Sequence, residues 1–251
     1  MSGHSKWATI KRKKGAADAK RGQAFTRLTR EIVMAAREGG GDTDSNFRLR
    51  IAVEKARAEN MPKDNIERAI KRGTGESKDG EVFEQITYEG YGPNGVAMMI
   101  ECVTENKNRT VAEVRHVLTK AGGNLGETGS VSWQFKRMAY FAIPAKKYEF
   151  DKVFEVAIDG NAEDCSSDDE TIEILAYVEN FKILSDNLQK NKIQPEDAEL
   201  RMLPNQEMEL NVEDTLQVLR TIDTLEELDD VQNVFSNLKI SDEAMAALDA
   251  D

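Results

Sequence analysis

Apolar residues recur at helical spacing in the first third of the chain. Over residues 16–38, Phe25, Leu28, Ile32, Ala35 and Ala36 share one face at about 100° per residue, which predicts an amphipathic helix. Lys20, Arg27, Arg30 and Arg37 fall on its opposite, outward face. Gly39-Gly40-Gly41 ends it, and residues 42–45 supply N-cap side chains for a second helix running to about residue 60. This second helix carries two apolar stripes, Leu49/Ala52/Val53/Ala56 and Phe47/Ile51, and therefore needs neighbours on two sides, as the middle helix of a three-helix bundle has. The third helix starts near Pro62, with Ile66, Ala69 and Ile70 inward and Arg68, Lys71 and Arg72 outward, and Gly73-Thr74-Gly75 stops it. A domain boundary is expected over residues 73–80.

From Phe83 the period changes to two. Residues 83–89 alternate, a Gly-Pro-Asn-Gly turn follows, and residues 96–103 form an apolar run of strand length, which together predict a hairpin. Val111, Val114, Val117 and Leu118 lie at helical spacing up to Gly122-Gly123, and a strand is expected around residues 130–135 after a Gly-rich loop. A second αβ unit follows: strand 139–143, a helix from about residue 151, strand 171–178, helix 181–191 and a strand around 198–203. Leu216, Leu219, Ile222 and Leu225 mark a last helix, and residues 231–235 fit either strand or helix. Antiparallel sheets backed by helices place the chain in the α+β class.

Charge changes the picture more than composition does. The 251 residues are 39% hydrophobic and 32% charged with only 5 Pro, enough apolar material for more than one core. The net charge of -12 is unevenly spread: residues 1–75 hold 18 Lys and Arg against 9 Asp and Glu, and the remainder holds 16 against 37. Among the first 37 residues, 10 are basic and only Asp18 and Glu31 are acidic. Lys6, Trp7, Lys11, Arg12, Lys13, Lys14, Lys20 and Arg21 form a dense cationic stretch with one aromatic, leading into the helix that carries Arg27, Arg30 and Arg37. Such an array neutralises phosphates and releases counterions, which makes a nucleic acid the expected partner; Trp7 either stacks on a base or anchors the segment to the bundle. Arg109, Arg115 and Lys120 either add a secondary basic spot or are ordinary solvated surface. The acidic remainder repels a polyanion, so contact is confined to the N-terminal face or the acidic domains meet protein.

Motifs for chemistry are weak. Gly90-Tyr91-Gly92-Pro93-Asn94-Gly95 spells GxGxxG, but a strand rather than a helix follows it, so a hairpin turn explains it better than a dinucleotide site. The acidic run 159–170 lacks the glycine of a calcium loop and reads as a solvated loop. His4 and His116 have no metal-ligand spacing, and Cys102 and Cys165 stand apart as unmodified thiols. No catalytic residue, metal or cofactor is expected. The absence of a membrane-spanning run or signal segment makes the cytoplasm the expected compartment.

The residues Gly3-His4-Ser5-Lys6-Trp7, Asp18-Ala19-Lys20-Arg21-Gly22, Ala35-Ala36-Arg37-Glu38-Gly39-Gly40, Asn60-Met61-Pro62-Lys63-Asp64-Asn65-Ile66-Glu67-Arg68-Ala69-Ile70, Tyr88-Glu89-Gly90-Tyr91-Gly92-Pro93, Asn108-Arg109-Thr110-Val111-Ala112-Glu113-Val114-Arg115 and Gly122-Gly123-Asn124-Leu125-Gly126 resemble the YebC/PmpR family over essentially the whole chain. The pattern departs at Lys136-Arg137-Met138, where the family usually places a glycine. The resemblance implies a basic helical domain (1–78), a discontinuous α+β domain (79–134 plus 207–251) and an acidic α+β domain inserted within it (135–206). It further implies a cytoplasmic, non-enzymatic protein: a DNA-binding transcriptional regulator or, as in relatives that include a mitochondrial translational activator, a translation factor whose same basic face engages ribosomal RNA and the ribosome. No helix-turn-helix is evident and Asn or Gln are sparse on the basic faces, so backbone-dominated binding is the physical expectation.

Overall fold

The computed structural model describes residues 18–76 and 83–250. Three helices come first: α1 (Asp18–Gly39), α2 (Phe47–Ala58) and α3 (Lys63–Gly73). Asn46 joins the first two. Its Oδ1 accepts the Leu49 N–H at 3.0 Å, capping α2, while its Nδ2 donates to the Ala35 and Gly40 carbonyls at 2.8 Å each, closing α1. The cap thus stands one residue beyond the 42–45 window, because only Asn46 can serve both helix ends. Ile32, Leu49, Ala52, Val53, Ile66 and Ala69 are buried together as the bundle core. The central helix is α1, which packs along both α2 and α3, whereas α2 and α3 touch little. This corrects the expectation that α2 is the middle helix. The second stripe of α2 has a different partner, named below.

The next elements are β1 (Glu84–Tyr91), β2 (Ala97–Thr104), α4 (Lys107–Lys120), β3 (Asn124–Leu125), β4 (Phe135–Pro144), α5 (Phe150–Asp159), β5 (Ala162–Ser167), β6 (Thr171–Tyr177), α6 (Phe181–Lys190) and β7 (Asp197–Pro204). The chain closes with β8 (Met208–Glu209), α7 (Val212–Glu226), β9 (Val231–Ser236), β10 (Leu238–Lys239) and α8 (Asp242–Ala250). One sheet has the order β3-β1-β2-β9 and another β5-β6-β4-β7, with every pairing in both antiparallel; β8 and β10 form a short parallel pair. The fold is α+β.

In the first sheet β1 and β2 run from Glu84↔Thr104 to Tyr91↔Ala97, and the connecting turn holds Asn94 at φ +59 and Gly95 at φ +78. The glycine pattern is therefore a hairpin turn, and its other members answer to packing: a Cβ on Gly90 would stand 2.6 Å from the Asn124 carbonyl. The fourth strand arrives from over a hundred residues away, resolving residues 231–235 as strand. On one face of this sheet α4 and α7 bury Met98, Ile100, Val114, Leu118, Leu219 and Ile222.

Residues 130–135 do not form a strand of their own. Ser132–Gln134 is a single 3-10 turn, and β4 starts at Phe135 and runs unbroken to Pro144, through the Lys136-Arg137-Met138 departure, pairing Lys136 with Leu203 and Arg137 with Met202. The acidic run 159–170 is also corrected: residues 162–167 are an edge strand, and Asp168 closes the turn by accepting the Glu170 and Thr171 N–H groups at 2.8 and 2.7 Å. Charged side chains on an edge strand hinder pairing with another chain, which reconciles strand structure with an acidic sequence. The core of this sheet holds Phe141, Ile143, Ile172, Ile174, Leu184 and Leu188, and α2 contributes Ile51 to it. Phe47 packs tilted against Phe141 and edge-on to Phe181, with ring centroids 6.5 and 5.9 Å away. Here is the second neighbour that the two stripes of α2 demanded.

Ile51 is 5% exposed between bundle and sheet, so Ile51→Ala is expected to destabilise the fold by about 2–5 kcal/mol. Urea denaturation checks this, and a decrease below about 1 kcal/mol would mean that α2 does not seal the sheet.

Candidate nucleic-acid interface

The expected contact residues divide into two groups. Lys6, Trp7, Lys11, Arg12, Lys13 and Lys14 lie outside the described residues, and Lys20 and Arg21 fall on the first turn of α1. Arg27, Arg30 and Arg37 are described: Arg37 is exposed, Arg27 is half-buried, and the expected outward placement of Arg30 needs correction because it is buried. The Arg27 Nη2 donates to the Gln232 carbonyl, and the Arg37 Nη1 donates to the Phe83 carbonyl at 2.6 Å. Arg30 is 7% exposed and its Nη2 reaches the Asp230 Oδ1 at 2.8 Å. The arginine stripe of α1 therefore faces the first sheet. Arg37 remains exposed at the surface; Arg30 does not. The signal available in the sequence is residue type: all three are Arg, whose planar fork suits buried and bridging ion pairs better than Lys does.

Asp230 is the hub of this contact. It is 1% exposed, just before β9, and its carboxylate collects four donors. Arg30 binds Oδ1; Arg109 Nη2, Thr104 Oγ1 and Thr110 Oγ1 donate to Oδ2 at 2.8, 2.9 and 2.7 Å. Its carbonyl takes the Val103 N–H at 2.8 Å. Burial pushes the carboxyl upward, but the hydrogen bonds from Arg109, Thr110 and Thr104 and the charge of Arg30 outweigh it and hold Asp230 below the usual aspartate range. Arg109, expected to serve a secondary basic spot, is engaged by this pairing. Above the same junction the guanidiniums of Arg30 and Arg72 stand 5.5 and 4.1 Å from the Phe83 ring centroid.

The bundle's other side is also tied down. Lys55 Nζ sits 2.6 Å from Asp197 Oδ1 and 3.9 Å from Glu31, and the carboxylates raise the lysine above its ordinary range although burial opposes them. Arg201, 3.5 Å from the Tyr140 ring centroid, pairs with Glu199 and, at 3.1 Å, with Asp197. The cleft between bundle and sheets is lined by ten carboxylates against seven cations, among them Glu31, Glu101, Arg137, Glu196 and Glu199. A phosphate backbone would be repelled there. Arg57, Lys63, Arg68 and Lys71 are exposed on α2 and α3, and Arg115 and Lys120 on α4.

Among the described residues no group of three or more His, Cys, Asp or Glu is arranged to hold a metal ion. Cys102 is buried and its thiol is pushed up to about 12, mainly by burial; Cys165, half-buried, is pushed up to about 11 for the same reason. Neither is poised as a nucleophile. Among the described residues no helix is long and apolar enough to cross a membrane. The signal missed in the sequence is Trp133, which is 70% exposed.

Comparison with known proteins bears on this surface. Residues 5–76 match the model of the TACO1/YebC protein N-terminal domain, and residues 83–238 that of the TACO1/YebC second and third domain. A probable transcriptional regulatory protein of Geotalea uraniireducens is 52% identical over 245 residues, covering 98% of each chain. Another of that description, from Geobacter sulfurreducens, is 50% identical over 248 residues, covering 99% of this chain and all of its own. The crystal structure of a conserved hypothetical protein from Aquifex aeolicus superposes with a TM-score of 0.80 at 44% identity, covering 90% of this chain and 93% of that one.

Asp230→Asn leaves a buried guanidinium without its counter-charge and is expected to cost about 3–5 kcal/mol at neutral pH. Because the folded carboxyl lies below its unfolded value, the contribution is complete above about pH 4 and is lost as pH falls through the folded value. The stability gap between wild type and variant, followed by thermal melts from neutral pH downward, should therefore narrow on acidification. A gap independent of pH would remove the charge from the account.

Proposed function

The chain belongs to the TACO1/YebC family, and from that membership we propose that it is a non-enzymatic, nucleic-acid-binding regulatory protein: a DNA-binding transcriptional regulator that holds the phosphate backbone through its basic N-terminal region. The observation that carries this reading is the separation of charge, 18 basic against 9 acidic residues in 1–75 and 16 against 37 beyond. With Arg27 and Arg30 engaged internally, the contact is assigned to Lys6, Lys11, Arg12, Lys13, Lys14, Lys20 and Arg21, joined by the exposed Arg37, Arg57, Arg68 and Lys71. The names of the similar proteins from Geotalea and Geobacter support a role in transcription.

A second reading is a translation factor gripping ribosomal RNA, which α3 fits as well as it fits DNA. Its exposed cations Lys63, Arg68 and Lys71 alternate with Asp64 and Glu67, and Lys63 sits 3.4 Å from Glu67. No Asn or Gln is exposed there to read base edges, so the face suits a phosphate backbone of either kind.

Replacing Lys11, Arg12, Lys13 and Lys14 together with Ala is expected to weaken binding to any nucleic acid. The slope of log affinity against log salt should fall by about 0.7 to 0.9 for each phosphate that the variant no longer neutralises, and an unchanged slope would take the segment out of the interface. Ribosome co-sedimentation at near-physiological salt, with excess duplex DNA as competitor, separates the two readings. Transfer from ribosomes to the duplex supports the transcriptional role; retention on ribosomes overturns it in favour of translation.

A further inference from the structure

Trp133 is the most exposed large apolar side chain among the described residues, at 70%, yet the backbone that carries it is held by several hydrogen bonds. The Gly-rich loop that delivers it is held from beneath by Glu89. This carboxylate belongs to a residue 6% exposed on β1 and accepts the N–H groups of Gly129, Val131 and Ser132 at 2.8, 2.9 and 2.8 Å. Burial raises the Glu89 carboxyl, the three amides lower it, and the amides prevail. Gly126 donates to the Glu89 carbonyl at 2.8 Å, and Tyr91 Oη donates to the Ser130 carbonyl at 3.3 Å. Gly123 admits no side chain, since a Cβ there would stand 2.2 Å from the Tyr91 carbonyl. The indole itself donates from Nε1 to the Ser130 carbonyl at 3.1 Å, and the Trp133 carbonyl accepts from Asn205 Nδ2 at 3.0 Å.

An aromatic ring kept exposed and immobile is pre-organised for a planar ligand, because its ordering cost is met before binding. The ring's neighbourhood selects the ligand. Ser130, Ser132, Gln134, Lys136 and Arg137 adjoin it in sequence, and Asn205 adjoins it in space. Lys136 and Arg137 are exposed, and the Lys136 amine is held 4.1 Å from the Tyr177 ring centroid. The other exposed large apolar residues, Phe150, Phe154, Ile158, Val178 and Ile183, all belong to the α5, α6 and β6–α6 region. A protein contact is built around several apolar anchors; one indole among Ser130, Ser132, Gln134 and Asn205, with Lys136 three residues on, suits a nucleobase joined to a phosphate. Within a duplex, bases are stacked on each other and offer no free face.

We propose that Trp133 is a stacking platform for an unpaired nucleobase, with the exposed Lys136 engaging the adjoining phosphate, so that the protein contacts single-stranded nucleic acid away from its basic N-terminus. The inference rests on the reading that the chain binds nucleic acid, and the test separates the two.

Trp7→Phe leaves Trp133 as the only tryptophan of the two. This full-length variant is titrated with a fluorescein-labelled single-stranded oligoribonucleotide and with a duplex of equal length, reading label anisotropy for binding and indole emission for stacking. Emission should be quenched by the single strand and little changed by the duplex. Trp133→Ala should weaken single-strand binding about tenfold while Trp133→Phe largely restores it, as expected for removal and recovery of one base stack. The indole is exposed, so an unchanged thermal melt of Trp133→Ala verifies its fold. Binding by anisotropy with unquenched emission, or with undiminished affinity of Trp133→Ala, overturns the platform and leaves the nucleic-acid reading standing. Equal quenching by the duplex overturns its preference for unpaired bases. No anisotropy change for either nucleic acid overturns both.

Discussion

A carboxylate removed from water must be neutralised where it stands, and Asp230 imposes that demand on three distant parts of the chain. Arg30 comes from the first helix, Thr104 and the Arg109/Thr110 pair from the end of β2 and the start of α4, and Asp230 itself from the entry to β9. None of these segments can satisfy the charge alone. Their convergence seats the bundle on the first sheet and sets the C-terminal strand beside β2, where Met98↔Ser236 and Met99↔Phe235 continue the register.

The bundle is wedged rather than appended. Its Arg30 side meets the first sheet, and the Phe47/Ile51 stripe of α2, with Lys55 held to Asp197, meets the second. This arrangement draws on the same cations that a charge count would assign to a nucleic acid. The cleft beneath the bundle carries more carboxylates than cations, while Arg57, Arg68 and Lys71 stay exposed on α2 and α3. The charge is polarised along the chain, with 18 basic against 9 acidic residues in 1–75 and 16 against 37 beyond.

Periodicity made most elements legible. The double stripe of α2 foretold two neighbours, and both are present; alternation from Phe83 foretold the β1–β2 hairpin, and the GxGxxG run is its turn. Where local patterns failed, a longer-range contact had decided the outcome. Residues 162–167 look like a solvated acidic loop until β6 offers them hydrogen-bond partners, and residues 231–235 are undecided until β2 does. Trp133 escapes a reading by pattern because a single indole has no period, and its exposure follows from how Glu89 fastens the backbone that leads into it.

By itself the sequence determined the class of the fold, most of its helices and strands, the separation of basic from acidic halves and the family, since each is written in neighbouring residues or in motifs. Tertiary structure decided what the charges do. Arg27, Arg30 and Arg37 satisfy every sequence criterion for an outward basic face, and only the positions of Gln232, Asp230 and Phe83 tie them to the sheet side, burying Arg30 and half-burying Arg27 while Arg37 stays exposed. The reason is physical: a pattern of residue types records which side of a helix is polar, but whether that side meets water, phosphate or a buried carboxylate depends on groups as many as 205 positions away in the chain.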